Sequence, residues 1–107
     1  MNASFRGQVS VVIPTCRRHD SLALAVRSAL LQGDAIREVL VVDDNRRPED
    51  EGKVQAVLAS IGDPRLVYLR NRGEPGGSAS RNVAIRQASA PVLAFLDDDD
   101  QWLPGKI

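Results

Sequence analysis

Two clusters of acidic residues directly follow strand-like segments of the sequence. Asp43 and Asp44 come after the apolar segment 38–42, and the aspartates 97–100 come after segment 91–96. If both segments end at the same edge of a sheet, these carboxylates repel one another, and a divalent cation would relieve the repulsion. Carboxylate oxygens suit Mg²⁺ or Mn²⁺, which usually bind one or two carboxylates together with the phosphates of a substrate. The spacing therefore predicts a metal-assisted site for a ligand that carries phosphate.

Basic and glycine-rich stretches lie near these clusters in the sequence. Arg17, Arg18 and Arg81 are candidates for contacts with a phosphate or a nucleotide base. The glycines of segment 73–77 either let the backbone approach a ligand or only form the turn before a helix. One acidic cluster after a strand is often a plain turn followed by a helix cap. Two clusters at neighbouring strand ends favour a ligand site instead.

Other phosphate-binding and metal-binding motifs are absent from the sequence. The turn after the first strand has no G-x-G-x-x-G, and segment 73–78 lacks the G-K-[ST] of a P-loop. A response-regulator receiver domain would carry its acidic pair after the first strand, not the second. Cys16 and His19 are the only cysteine and histidine, which argues against a zinc site. We expect Cys16 to be inert and His19 to lie at the surface.

Strand-like and helix-like segments alternate along the chain. Short apolar runs predict strands, and apolar residues at i, i+3, i+4 and i+7 predict helices. The predicted strands are 9–13, stopped by Pro14, then 38–42, 65–70 and 91–96. The first predicted helix begins after a cap at Asp20 or Ser21 and ends at Gly33. The second begins at Pro48 and ends at Gly62. The third spans 78–88, with Ala84, Ile85 and Ala88 facing inward.

The order β-α-β-α-β-α-β predicts an α/β fold. Apolar strands that alternate with helices form a parallel sheet covered on both faces. Right-handed crossovers make it a Rossmann-like three-layer α/β/α arrangement with a mainly parallel sheet of about four strands. Ligands of such sheets bind beyond the carboxyl ends of the strands, which is where both acidic clusters lie.

Length and charge fit one small domain. The chain has 107 residues, with 14 Lys plus Arg and 14 Asp plus Glu, so its formal net charge is zero and no nucleic-acid partner is expected. No apolar run approaches the ~20 residues that span a bilayer, and residues 1–8 carry no signal-peptide pattern. The lone Cys16 cannot form an intrachain disulfide. We therefore expect a reducing, cytoplasmic location.

Four short motifs together resemble those of family 2 glycosyltransferases, which have the GT-A fold. They are V-S-V-V-I-P-T (9–15), V-V-D-D-N (41–45), G-G-S-A-S-R-N (76–82) and F-L-D-D-D-D-Q-W-L-P (95–104). The resemblance extends from Val9 to the end of the chain, and the order and spacing of the motifs make it specific. It implies that residues 1–107 are the nucleotide-sugar (donor) binding part of a truncated GT-A domain.

The resemblance implies that one group of residues contacts the nucleotide sugar and another holds the metal. The nucleotide-sugar group is Pro14, Thr15, Arg17, Asp43, Asp44, Arg81, Asp97 and Asp98. Within it, Asp44 hydrogen-bonds the base and Asp43 supports Asp44. The metal group, which would hold Mn²⁺ or Mg²⁺ in the family's D-x-D motif, is Asp99 together with Asp100.

The sequence departs from the family pattern at two places beside these groups. Cys16-Arg17-Arg18 stands where the family often has Tyr-Asn-Arg, and Asn45-Arg46 stands where it often has Gly-Ser. The base and the sugar of the donor therefore stay open, with a UDP-sugar favoured.

The resemblance also implies a reaction. The family transfers a sugar from a nucleotide-diphosphate sugar to an acceptor hydroxyl with inversion, and the metal stabilises charge on the leaving diphosphate. The general base comes from the acceptor-binding half, which is expected beyond Ile107. The catalytic residue is thus unknown, and the chain alone is expected to transfer little or no sugar.

The biological setting is less defined by the resemblance. The acceptor is an unknown saccharide or lipid-linked molecule in the synthesis of envelope polysaccharide or another glycan. Family members commonly work at the cytosolic face of a membrane, as peripheral proteins at its inner face. The surface around Trp102 that truncation exposes could also drive formation of a homodimer.

Two other functions compete with glycosyl transfer. The same fold could serve as a non-catalytic nucleotide-binding or interaction module, for which metal-independent binding would be evidence. A metal-dependent nucleotidyltransferase would prefer a nucleoside triphosphate. Its usual glycine-rich signature with Lys or Arg after the first strand is not present here.

Overall fold

Four β-strands and three α-helices alternate along residues 6–107, the part of the chain that the computed structural model describes. The prediction that residues 1–8 carry no signal peptide falls partly on residues 1–5, which lie outside this part of the chain. The strands are β1 (Val9–Thr15), β2 (Ile36–Asp43), β3 (Leu66–Arg70) and β4 (Val92–Phe95). The helices are α1 (His19–Leu30), α2 (Pro48–Ile61) and α3 (Gly77–Gln87), with a short 3₁₀ turn at Gly33–Ala35.

The four strands form one sheet in the order β3-β2-β1-β4. Every strand pair is parallel, so the carboxyl ends of all four strands lie at one edge. Strand β1 is central: Val12 is in register with Leu40 of β2 and with Phe95 of β4. The predicted parallel α/β fold is confirmed, and the segments after β1, β2 and β4 lie side by side.

Helices cover both faces of the sheet. Because successive side chains of a strand point to opposite faces, Val11 and Ile13 pack with α1 and α2, whereas Val12 packs with Ala84 of α3. The middle segments of these two strands, 11–13 and 39–42, are wholly apolar for this reason. Strand β4 forms an edge of the sheet, and Phe95 at its end is 45% exposed.

Strand β1 continues through Pro14 to Thr15, so the prediction that Pro14 stops the strand is wrong. The Val12 carbonyl accepts a hydrogen bond from Leu96 beyond β4, and Pro14 faces that same side two residues later. Pairing with β4 ends at Val12, whereas pairing with β2 continues to Thr15. The missing N–H of proline therefore costs no ladder bond.

Three further details of the helices differ from the predictions. Helix α1 begins at His19 after an N-cap at Arg18 that makes no side-chain capping bond, rather than at a cap on Asp20 or Ser21. It ends at Leu30, and Gly33, with φ +88°, begins the 3₁₀ turn instead. Ile85 of α3 is 46% exposed, since the inward face is defined by Ser80 and Ala84, one turn apart.

In the part of the chain that the structure describes, no helix has the length and apolar character to cross a bilayer.

Replacement of glycine by alanine should change stability in opposite directions at Gly52, within α2, and at Gly62, its C-cap. Gly62 caps the helix in the left-handed region at φ +67°, where its N–H bonds the Leu58 carbonyl. We expect Gly62→Ala to lower the free energy of unfolding by about 1 kcal/mol. Gly52 lies within the same helix with open space around its Cα, so Gly52→Ala should raise that free energy by about 0.5–1 kcal/mol. Urea unfolding of both variants measures the difference, and equal effects would contradict the cap assignment.

Candidate functional site

A cavity of about 200 Å³ opens at the carboxyl ends of β1, β2 and β4. Its walls come from the end of β1, from the loops after these three strands and from the start of α3. The residues that line it are Pro14, Thr15, Cys16, Arg18, Asp44, Gly77, Ser80, Arg81, Asp97 and Asp98. Six of the eight residues predicted to contact a nucleotide sugar thus lie around one cavity. Arg17 and Asp43 do not line it.

Thr15, which lines this cavity, has a side-chain hydroxyl without a hydrogen bond to any described residue. The residue is 2% exposed, and its Oγ1 atom has no hydrogen-bond partner among residues 6–107. Leaving a buried hydroxyl unpaired costs about 1–3 kcal/mol. A polar ligand group in the cavity would supply the missing partner.

Asp44 is held at the cavity by three donors from two different loops. Its Oδ1 accepts hydrogen bonds from Asn71 Nδ2 at 2.9 Å and from Arg46 Nη2 at 3.1 Å, and its Oδ2 accepts one from the Gly76 N–H at 2.9 Å. Only 11% of the side chain is exposed. The carboxylate is therefore fixed in orientation before any ligand binds.

The glycine-rich segment contributes its backbone to this arrangement. Gly76 has φ +118°, a conformation that side-chain-bearing residues rarely adopt, and this conformation directs its N–H to Asp44. Gly77 follows at the start of α3, where an added Cβ would lie 3.4 Å from Nη1 of Arg81. The segment is thus both the turn before α3 and a contributor to the cavity wall.

Asp43 is buried and organises the neighbouring loops. Its Oδ1 accepts bonds from the backbone and side-chain nitrogens of Asn45, both at 2.8 Å, and its Oδ2 accepts the hydroxyl of Tyr68 from β3. Asn45 Oδ1 in turn accepts the backbone N–H of Arg17 at 2.9 Å. Arg17 has φ +57°, so this chain of bonds holds the loop after β1 in a conformation unusual for arginine.

Tyr68 gives this network a measurable signature. Burial, together with the hydrogen bond to the Asp43 carboxylate, raises the pKa of Tyr68 to about 12. An unfolded tyrosine ionises near pH 10, so its stabilising contribution is present below that pH and is lost as the pH rises towards 12.

We expect the free energy of unfolding to fall more steeply above pH 10 in the wild type than in Tyr68→Phe. The substitution removes the ionisable hydroxyl and its bond to Asp43 while keeping the ring. Chemical unfolding at several pH values between 9 and 12 measures the two slopes. Equal slopes of unfolding free energy against pH in the two proteins would show that folding does not change the pKa of Tyr68.

The aspartate run after β4 splits into buried and exposed members. Asp98 is 5% exposed, and its Oδ2 accepts the Cys16 N–H at 3.3 Å. Asp99 is exposed, and its Oδ2 lies 2.9 Å from Nη1 of Arg18, the same nitrogen that lies 3.3 Å from Oδ1 of Asp98. Asp97 lies 3.7 Å from Nη2 of Arg81. Asp100 is exposed and lines a separate cavity formed by residues 100–106.

Two residues, Ser28 of helix α1 and Gln32 just after that helix, anchor the chain that follows the aspartates. The Trp102 N–H donates to Ser28 Oγ at 3.1 Å, and Gln32 Nε2 donates to the Leu103 carbonyl at 2.9 Å. Ser28 and Gln32 are each 7% exposed, and the Trp102 ring packs against the core beneath the sheet. Leu96, just before the aspartates, is buried in the same core, so the aspartate loop is fixed at both ends.

The acidic loop fits a cation that is coordinated partly by protein carboxylates and partly by a substrate. Among residues 6–107, no three His, Cys, Asp or Glu side chains gather into a group that could hold a metal ion alone. Asp98 and Asp99 nevertheless share one cationic nitrogen of Arg18, so a positive charge is accommodated between them. Two carboxylates are the usual protein share of a Mg²⁺ or Mn²⁺ site that substrate phosphates complete.

A second cavity, of about 610 Å³, lies between the start of α1 and helix α2. Arg17 and Lys53 line it, and Arg18 lines both this cavity and the smaller one. The structure thus places the predicted Arg17 next to the strand-end cavity but facing a different space. Its role towards a nucleotide stays a prediction.

Several residues of the site were not predicted from the sequence. Asn71 and Asn45 are almost fully buried and bond Asp44 and Asp43, respectively. Each asparagine directly follows a strand or an acidic pair, a position where a side-chain amide commonly bonds the adjacent backbone. Ser28 and Gln32 carried no signal, because their partners lie more than 70 residues away in the sequence.

Comparison with known proteins agrees with the predicted family and fold. The model of "Glycosyl transferase family 2" matches residues 10–107. The chain belongs to this family, as its four motifs predicted. It is 32% identical over 99 residues to the UDP-Glc:alpha-D-GlcNAc-diphosphoundecaprenol beta-1,3-glucosyltransferase WfgD of Escherichia coli. That match covers 92% of this chain and 38% of the relative, so the chain spans well under half of the relative's length.

Solved structures of similar proteins share the architecture. The S. aureus protein TarS 1-349 in complex with UDP is 28% identical with a TM-score of 0.69, over 88% of this chain and 28% of that chain. The mannosyltransferase PcManGT from Pyrobaculum calidifontis, in complex with GDP-Man and Mn²⁺, has a TM-score of 0.76 at 22% identity, over 91% of this chain and 29% of that chain. The predicted GT-A fold is confirmed.

Proposed function

We propose that this chain is the donor-binding part of an inverting, metal-dependent glycosyltransferase. The proposal depends on the cavity at the strand ends, which Asp44 and Asp98 line together with Thr15, a residue whose buried hydroxyl has no partner within residues 6–107. At about 200 Å³ it is smaller than the roughly 300–1,000 Å³ usual for small-molecule pockets. It would hold one part of a nucleotide sugar and leave the rest to project from it.

Asp44 would recognise the base, and its bonding state favours uracil. A carboxylate accepts about four hydrogen bonds, and three donors already reach Asp44. One further donor fits, which matches the single imide N–H of uracil better than the adjacent N–H and NH₂ groups of guanine. The names of WfgD and of the TarS complex both include a uridine nucleotide, which supports a UDP-sugar as the donor.

Asp99 and Asp98 would hold a divalent cation together with the diphosphate. Such a cation supplies Lewis-acid stabilisation of the charge on the departing diphosphate. Asp98 also accepts the Cys16 N–H, so it ties the loop after β1 to the acidic loop. Arg81 and Asp97 would flank the diphosphate and sugar at the open side of the cavity. Asp100, which points to the separate cavity, could contribute to the metal site only after a shift of the loop.

The remaining parts of the reaction would come from outside residues 1–107. Relatives of this family are longer, and we propose that their additional length supplies the general base and the acceptor site. The printed name of WfgD includes a diphosphoundecaprenol acceptor, which supports a lipid-linked acceptor for this protein in glycan synthesis. That acceptor would place the protein in the cytoplasm, peripheral to the inner face of a membrane. A homodimer stays a prediction.

Titration calorimetry with UDP, GDP and dTDP, each with and without Mn²⁺, tests the proposed donor. We expect Mn²⁺-dependent binding of UDP and about tenfold weaker binding of GDP, the equivalent of one mismatched hydrogen bond. Because thymine carries the same imide N–H, dTDP should bind like UDP unless its methyl group or the sugar hydroxyl discriminates. Tighter binding of GDP than of UDP would contradict the base assignment.

Thr15→Val tests the observation on which the proposal depends. Valine has nearly the shape of threonine, and the hydroxyl that it removes has no partner within residues 6–107. We expect the free energy of unfolding to rise by up to about 1 kcal/mol, while UDP affinity falls by about five- to tenfold. Lower stability with unchanged UDP affinity would show that the hydroxyl serves the fold and not a ligand.

A further inference from the structure

Arg18 lies where the acidic loop needs a positive charge. Its Nη1 atom is 2.9 Å from Oδ2 of Asp99 and 3.3 Å from Oδ1 of Asp98. These are the two carboxylates to which the proposed function gives the divalent cation. One guanidinium nitrogen therefore satisfies both acids in the protein without a bound nucleotide.

The contact is weak enough to be exchanged. The side chains of Arg18 and Asp99 are each 55% exposed, and ion pairs at such exposed positions contribute little to stability. A divalent ion carries twice the charge of a guanidinium and binds carboxylate oxygens directly, so it would prevail at sufficient concentration.

Open space lies next to the Arg18 side chain for it to occupy after it leaves the two aspartates. Arg18 borders the larger cavity between α1 and α2 as well as the strand-end cavity, so open space lies on either side of it. Its backbone stays fixed, because the Arg18 carbonyl accepts the N–H of Leu22 in the first turn of α1. Only the side chain has to turn, and a guanidinium near a bound diphosphate would pair with its phosphate oxygens.

We infer that Arg18 is an exchangeable counter-cation: it occupies the divalent cation's place between Asp98 and Asp99 in the empty protein and moves to the diphosphate when metal and nucleotide bind. This inference rests on the proposed metal-dependent donor site. It makes Arg18 a competitor of the metal when no nucleotide is present. With nucleotide bound, the same residue becomes a contributor to affinity.

Electron paramagnetic resonance of free Mn²⁺ measures metal binding by the 107-residue chain without any activity assay. The variants are Arg18→Gln, Arg18→Lys, Asp99→Asn and the control Arg27→Gln, which removes the same charge from an exposed position of α1. Without nucleotide, Arg18→Gln should bind Mn²⁺ about three- to fivefold more tightly than the wild type. Arg18→Lys keeps the charge and should stay within about twofold, as should Arg27→Gln. At saturating Mn²⁺, Arg18→Gln should bind UDP several-fold more weakly.

The outcomes separate this inference from the function on which it rests. If Arg18→Gln binds Mn²⁺ no more tightly while Asp99→Asn loses the metal, the inference is overturned and the metal-dependent function stands. Equal tightening in Arg27→Gln would reduce the effect to net charge and overturn the inference as well. Unchanged UDP affinity in Arg18→Gln at saturating Mn²⁺ would overturn the movement to the diphosphate. Absence of Mn²⁺ binding in every variant, with UDP present or absent, would overturn both proposals.

Discussion

Asp44→Ala should lower the affinity for UDP by about 10- to 150-fold, whether or not Mn²⁺ is present. The expected loss is one hydrogen bond to a charged group, about 1.5–3 kcal/mol. Asp44 can deliver that bond in full because Asn71, Arg46 and the Gly76 backbone fix its carboxylate in advance. Nothing has to be reoriented when the base arrives, so little of the interaction energy is lost to ordering.

The same substitution also has an expected cost in stability. Alanine leaves the Gly76 N–H and one bond of Asn71 without their acceptor, so the free energy of unfolding should fall by about 1–2 kcal/mol. Calorimetry with UDP and urea unfolding measure the two effects on one sample. Asp34→Asn is the matched control, because Asp34 is an exposed aspartate in the turn before β2, at the opposite edge of the sheet. A folded Asp44→Ala protein with wild-type UDP affinity would contradict the role of Asp44.

Asp99→Asn should remove the metal-dependent part of UDP binding and leave the rest. At saturating Mn²⁺ we expect affinity to fall at least about tenfold, because a neutral amide is a poor ligand for a hard divalent cation. Without Mn²⁺ the wild type and the variant should differ by less than about twofold, since Asp99 does not line the strand-end cavity. The side chain is 55% exposed, so the fold should be unaffected.

The contrast between the two aspartates distinguishes their roles. Asp44→Ala is expected to weaken binding in both conditions, whereas Asp99→Asn is expected to weaken binding only when Mn²⁺ is present. Titrations with and without Mn²⁺, on both variants and on Asp34→Asn, give the comparison. A metal dependence that survives in Asp99→Asn but disappears in Asp100→Asn would place the metal one residue later in the run.

The sequence predicted the fold because the central strands carry an unmistakable pattern. Strands β1 and β2 each contain a continuous apolar run, 11–13 and 39–42, and runs of this kind are typical of a sheet that helices cover on both faces. Parallel strands bring their carboxyl ends to one edge, so the convergence of Asp44 and Asp98 on one cavity followed from element order alone. The family assignment from four motifs is confirmed by the match over residues 10–107.

The details that could not be predicted depend on register and on side-chain reach. The bond from Tyr68 to Asp43 requires that β3 pair with β2 so that Tyr68 lies opposite Val41, and no local pattern encodes that alignment. The continuation of β1 through Pro14 depends on where β4 stops pairing. The contacts of Arg18 with Asp98 and Asp99 join two loops about 80 residues apart in the sequence. Each of these is a tertiary relationship between segments far apart in the chain.

Chemical-shift mapping by ¹⁵N–¹H NMR of the 107-residue chain, titrated with UDP and Mg²⁺, tests whether the nucleotide binds at the strand ends. Mg²⁺ replaces Mn²⁺ here because it is diamagnetic and leaves the signals sharp. We expect the largest shifts at the amides of Thr15, Asp44, Gly76 and residues 97–99, with none near Asp34 at the opposite edge of the sheet. Shifts centred on Lys53 and the cavity between α1 and α2, or no shifts at all, would contradict a donor site at the strand ends.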